Sequence, residues 1–174
     1  MLTRVIVPAH AIRGEAFAGE AFTKGTWVKI SGTFSAGDIS SLATGNKNIP
    51  GYASAGDFKV VQAVSGDTMP CFPVDKMTVV PEGADSDKDT ILAGAGVLYF
   101  TEGRYESDQY TSVSGTGAAY GDYLKIGASG KLVEEDDPAV RTTASVARCY
   151  KVHYGDNGNH TYDRVEFEML LNKN

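Results

Sequence analysis

In several segments of this chain apolar residues recur at every second position, and no stretch shows a comparable helical spacing. The clearest case is Val165, Phe167, Met169 and Leu171, alternating with Arg164, Glu166 and Glu168. Successive strand side chains point to opposite faces, so this spacing predicts a strand with one buried face. A slip of one residue would carry Glu166 and Glu168 into the core, so the register is tightly specified. Residues 145–154 are its expected partner. Between them, Gly155-Asp156-Asn157-Gly158-Asn159 tolerates positive φ and is predicted to close a hairpin.

Residues 58–64 alternate in the same way, with Phe58, Val60, Gln62 and Val64 on one face. Residues 72–80 form another run, with Pro70, Pro73 and Pro81 marking its borders or an edge position. Residues 91–100 and 104–110 read as a hairpin around Thr101-Glu102-Gly103. Residues 2–11 read either as a first strand or as part of an arm, residues 1–13, that reaches onto a neighbour. Residues 14–25 are punctuated by glycines and lead into a strand at 26–31. Residues 33–56 are small, polar and glycine-rich and predict a long loop, a feature usually functional or mobile in a compact domain. Residues 81–89 (PEGADSDKD) are the best internal boundary. Ser129-Gly130 turns the chain into a short strand at 131–133, and the acidic run at 134–137 reads as a solvated loop.

One phrase occurs twice. Gly25-Thr26-Trp27-Val28-Lys29-Ile30 returns as Gly121-Asp122-Tyr123-Leu124-Lys125-Ile126. A turn glycine followed by an aromatic and aliphatic run is a strand signal. The pattern as a whole predicts a single all-β domain over residues 1–174: a small barrel or sandwich of antiparallel strands with long glycine-rich loops.

Composition narrows the functional classes. The chain has 174 residues and a formal net charge of −6. That length is one domain or two small ones and buries about 70% of its unfolded surface, enough to fold without a covalent staple. The acidic balance argues against nucleic acid, whose binding depends on lysine and arginine neutralising phosphates. The two cysteines, Cys71 and Cys149, are too few for a disulfide framework; both read as free thiols, with Cys149 facing the core. No apolar stretch approaches the roughly 20 residues of a membrane-spanning helix, and no secretion leader is expected ahead of MLTRVIVP. Synthesis in a reducing cytosol is the expectation.

No constellation of catalytic residues emerges. The three histidines, His10, His153 and His160, are scattered, and two histidines across a hairpin lack the further ligands zinc needs. Asp85-Ser86-Asp87-Lys88-Asp89 imitates half of a calcium loop. However, Thr90 stands where glycine is needed and Gly96 where a bidentate glutamate is needed. Gly94-Ala95-Gly96 is too short for a dinucleotide fingerprint. Cys71 has no histidine near it in sequence. The nine tyrosines and Trp27 suit either a sugar-binding platform or core and interface packing. No metal, cofactor or catalytic residue is expected.

The second copy and its sequel, YGDYLKIGASGKLVEEDD followed by TTASVARCYKV, resemble the head decoration (capsid cement) proteins of tailed bacteriophages. Gly121-Asp122, Leu124, Ile126, Gly130, Leu132 and residues 144–152 follow that family's order of strand, glycine turn, strand, polar loop and final strands. Ser145 departs from it where a glycine is common, and residues 72–110 have no counterpart in it. The resemblance implies a non-enzymatic virion protein, made in the host cytoplasm. It would bind the outside of the phage head, partner the major capsid protein and assemble as a homo-oligomer, commonly a trimer. It implies neither nucleic acid nor membrane as a partner. Arg4, His10, Arg13, Trp27 and Tyr123 are the candidate contacts with capsid or neighbour, with core packing as the alternative for Trp27 and Tyr123. The other reading is a different virion component: a tail tube, head fibre or adhesion module.

Overall fold

The alternating segments are strands, and they build an all-β molecule with one short helix among the described residues. The computed structural model describes residues 2–5, 13–43, 51–76, 90–113, 117–153 and 164–170. In chain order the elements are β1 (Leu2–Val5), β2 (Arg13–Ala18), β3 (Phe22–Thr23), β4 (Trp27–Thr33), α1 (Ala36–Ser41), β5 (Phe58–Gln62), β6 (Phe72–Lys76) and β7 (Thr90–Ile91). They continue with β8 (Gly96–Phe100), β9 (Arg104–Ser107), β10 (Tyr123–Ile126), β11 (Leu132–Glu134), β12 (Ser145–His153) and β13 (Arg164–Met169).

Five strands close a barrel in the order β2-β5-β4-β6-β8, antiparallel except for the β2–β5 pair. Six others form a sheet, β1-β9-β13-β12-β10-β11, and β3 pairs with β7 in a two-stranded sheet. Taken from its far edge, β11-β10-β12-β13-β9 repeats the barrel's order β5-β4-β6-β8-β2, strand for strand. The registers repeat too. Val28, Lys29 and Ile30 face Gln62, Val61 and Val60, while Leu124, Lys125 and Ile126 face Glu134, Val133 and Leu132. Gly25 N donates to Val74 O at 2.8 Å, and Gly121 N to Cys149 O at 2.9 Å. The parallel closure is present in both. Gly19 N donates to Val60 O at 2.7 Å; in the second half Tyr110 bridges Leu132 in parallel, and Thr111 N donates to Leu132 O at 2.9 Å. The chain therefore pairs a closed five-stranded barrel with a sheet of the same strand order, which the single Tyr110–Leu132 bridge draws round into a second, barrel-like unit (the second barrel below), with β1 added outside β9.

Register exposes further sequence likeness between the halves. Lys59-Val60-Val61-Gln62 corresponds to Lys131-Leu132-Val133-Glu134, and Arg13-Gly14-Glu15 to Arg104-Tyr105-Glu106. Ala16, Val28, Val60, Val74 and Val97 lie in the core of the first barrel. Leu124, Leu132, Cys149 and Val165 lie in that of the second. Both cysteines are free and buried.

The barrels meet at Trp27. Two consecutive residues of β4, Trp27 and Val28, are buried because each strand face meets its own core. The Trp27 ring centroid lies 5.7 Å from Phe167, which lies 6.1 Å from Tyr105. Gly130, in the 3-10 turn Ala128–Gly130, presses on the same place. A Cβ there would stand 2.5 Å from Thr26 Cγ2 and 2.6 Å from Trp27 O. Ser107 Oγ donates to Gly25 O at 3.4 Å across the junction.

Several expectations change. Residues 91–100 and 104–110 do not pair as a hairpin: β8 joins β2 and β6 in the first barrel, and β9 joins β13 and β1 in the second. A short turn serves a change of barrel as readily as a hairpin; the non-local partners decide. Residues 14–25 contain all of β2 but its first residue, and β3. The loop at 33–56 contains α1, started by a capping box between Ser35 and Asp38, and buries Phe34, Leu42 and Tyr52. Leu2–Val5 is a strand of this chain's own sheet. The boundary at 81–89 and the turn at 155–159 lie outside the described residues.

Two outcomes are expected in urea titrations. Gly32 (φ +117°) has open space around it, whereas Gly130 (φ +63°) has backbone against it. Gly32→Ala is expected to cost about 1–2 kcal/mol from backbone conformation alone. Gly130→Ala is expected to cost about 2–4 kcal/mol by adding overpacking; equal costs would place the junction elsewhere. The second concerns acid. Hydrogen bonds from Ser35 N and Oγ, and then from Lys59, hold the Asp38 carboxyl down to about 2. The Lys29 ammonium, and then Val64 N, lower that of Asp67. Both groups bind protons more tightly unfolded, at about 4. Their contribution is therefore complete above about pH 4 and lost as pH falls towards 2. Asp38→Asn/Asp67→Asn is expected to flatten the urea midpoint between pH 5 and 2 relative to wild type.

Candidate interaction surface

Because the barrels share a register, Trp27 has a counterpart in Tyr123. Each is the first residue of its strand and points away from its own barrel. Trp27 is wholly buried by the other barrel, whereas Tyr123 is half-buried at the surface. Arg148 faces Tyr123 across the β10–β12 pair and holds its guanidinium 5.7 Å from the ring centroid. Its Nε donates to Gly121 O at 3.0 Å.

Arginine and tyrosine continue across β12. The Arg104 guanidinium lies 3.7 Å from the centroid of Tyr150, and Tyr120 meets Tyr150 edge-on at 5.5 Å. Tyr120 is 74% exposed. Arg104 also pairs with Glu166, and Arg164 with Glu106 at 3.0 Å. The result is a cluster of tyrosine rings with a guanidinium over Tyr150 and another near Tyr123, an arrangement that combines large apolar area with little conformational freedom.

Beside it, at the end of the second barrel where β10 begins, lies an open pocket of about 580 Å³. Val113, Ala119 and Pro138 give it apolar walls, and Asp122, Glu134, Glu135 and Asp136 add carboxylates. Those carboxylates already hold donors. Glu134 accepts from Tyr110 Oη at 2.6 Å and Val113 N at 2.8 Å. Glu135 accepts from Thr142 Oγ1 at 2.7 Å and Ser145 Oγ at 2.8 Å. Asp122 accepts from Ala119 N, and Asp136 from Lys125 Nζ, both at 2.7 Å. Burial, and then the bond to Glu134, push the Tyr110 phenol far above its ordinary range.

The expected solvated run at 134–137 is thus corrected: Glu134 and Glu135 are buried. Their charge is tolerated because amides and hydroxyls from distant parts of the chain converge on them, which no local pattern reveals.

The five candidate contacts do not form one site. Trp27 is withdrawn as a contact because no part of it reaches the surface. Arg4 lies on β1 opposite Glu106, and Arg13 lies on β2 of the other barrel opposite Phe100, both remote from Tyr123 on β10. His10 lies outside the described residues. Arg104, Tyr120, Arg148 and Tyr150 were missed; the alternation of residues 145–154 was the available signal for Arg148. The thiols are quiescent: burial pushes Cys71 up to about 11 and Cys149 up to about 12. Among the described residues, no group of three or more His, Cys, Asp or Glu side chains is arranged to hold a metal ion.

Compared with protein-family models, curated proteins and solved structures, the chain matches none.

Tyr110→Phe removes the donor to Glu134 and the acceptor of Ala118 N. It is expected to lower stability by about 1–3 kcal/mol, because Glu134 Oε1 and Ala118 N lose this partner while buried. A urea midpoint equal to wild type would contradict the role given to this bond.

Proposed function

We propose that this protein is a virion structural protein that binds the outer surface of a tailed-phage capsid and cements neighbouring capsid subunits, working as a homo-oligomer with three copies favoured. The observation that carries the reading is the Tyr120–Tyr150–Arg104 cluster, with its edge-on tyrosine pair, and Tyr123–Arg148 beside it. Tyrosine and arginine are the residues on which protein contacts most often depend. Both barrel interiors are filled by side chains of this chain, and the pocket's carboxylates are engaged with their own chain. The molecule therefore offers a partner its outside.

The resemblance to decoration proteins agrees with this arrangement. Its motif residues fall on β10, the glycine turn, β11, the polar stretch 135–144 and β12. A capsid presents many identical sites, so modest contacts repeated by an oligomer hold firmly. An acidic chain does not compete for a packaged genome.

The test uses purified protein and expanded heads that lack it, with co-sedimentation as the readout. Saturable binding at a simple fraction of the shell protein is expected. Tyr120→Ala/Arg148→Ala is expected to weaken it roughly tenfold or more, the scale of a hot-spot pair. Absence of binding, or a few copies per particle, would overturn the capsid reading.

A further inference from the structure

Within the chain the two barrels meet through unlike ends. The first supplies its leading end, where β4 begins: Thr26, Trp27 and Gln62. The second supplies its turn end, where β10 gives way to β11, with Gly130 against those three residues. Because strand order and register are shared, every position at this junction has a counterpart on the other barrel.

Those counterparts are open. At the leading end of the second barrel, Thr26, Trp27 and Gln62 correspond to Asp122, Tyr123 and Glu134, and two of these line the 580 Å³ pocket. At the turn end of the first barrel, Gly130 corresponds to Phe58, which is 59% exposed. The buried Ile126 corresponds to Ile30, which is 42% exposed. One half of the junction is consumed inside the chain, and its other half is displayed, split between the two ends.

The shapes also correspond. Inside the chain the turn end carries a glycine, and the leading end it meets is close-packed. At the free ends the turn end carries a phenylalanine, and the leading end is hollow. We propose that copies of this chain associate head to tail, with Phe58 of one copy seated in the pocket walled by Val113, Ala119 and Pro138 of the next. Ile30, on the adjacent strand, covers the rim. This deepens the homo-oligomer part of the reading above and is independent of the capsid part.

Such a contact is heterologous, and it closes into a ring if its rotation permits. Three copies would set barrels of the two kinds alternately around one axis.

The experiment measures the mass of the purified full chain by light scattering and native mass spectrometry. The concentrations run from about 1 to about 100 μM, where specific association of moderate strength is visible. A discrete oligomer is expected. Phe58→Glu and Ala119→Trp are each expected to reduce it to monomer, and circular dichroism should show an intact fold because both positions are exposed. A Phe58→Cys/Ala119→Cys variant treated with a short bismaleimide is expected to give covalent links between copies, since Cys71 and Cys149 are buried and do not compete. A wild-type monomer throughout, or an oligomer that survives either substitution, overturns the proposal. No capsid is present, so failure of the capsid reading leaves this result untouched.

Discussion

The indole of Trp27 belongs to one barrel by its backbone and to the other by its contacts. It starts β4 of the first barrel, yet its ring lies against Phe167 in the core of the second. Its Nε1 and the neighbouring Thr26 Oγ1 are buried there without a hydrogen-bond partner among the described residues. Leaving such a group unmatched costs about 1–3 kcal/mol. Truncating a buried tryptophan costs about 3–5 kcal/mol, so apolar contact outweighs the polar penalty. Gly130 is the other side of the same constraint, because only a residue without a side chain lets the two backbones approach so closely.

Around that junction one strand plan has been used twice for different ends. Lys29 pairs with Asp67 and Lys125 with Asp136, at 2.8 and 2.7 Å. Both pairs tie the second strand of a barrel to the segment beyond its third. Many interior positions correspond as apolar residues, Val28 to Leu124 and Val74 to Cys149. The ends differ far more. The first barrel fills the gap between its second and third strands with an excursion that includes α1. The second uses a tight 3-10 turn, and that economy is what lets it dock on Thr26 and Trp27.

The acidic end of the second barrel is organised by the same non-local logic. Glu134 gathers Tyr110 and Val113, and Glu135 gathers Thr142 and Ser145. Charged hydrogen bonds of this kind are stronger than neutral ones, and water is excluded from much of the cluster. They hold the segments before β10 and after β11 against the barrel and so shape the pocket between them.

Alternation of apolar and polar residues was enough to identify most strands, the all-β class and the core position of Cys149, because a strand's two faces are written at period two. The repeated phrase announced its own strand in each half. What covers each face was not legible. Trp27 and Tyr123 occupy the same place in the same phrase, yet one is the centre of a junction and the other faces outward. Residues 91–100 and 104–110 have the spacing of a hairpin and lie in different barrels. Glu134 and Glu135 have the look of a solvated run and are buried. Local sequence dictates which backbone conformation a segment takes and which residues share a face. Pairing, closure and burial depend on partners tens of residues away, and only the folded chain brings those together.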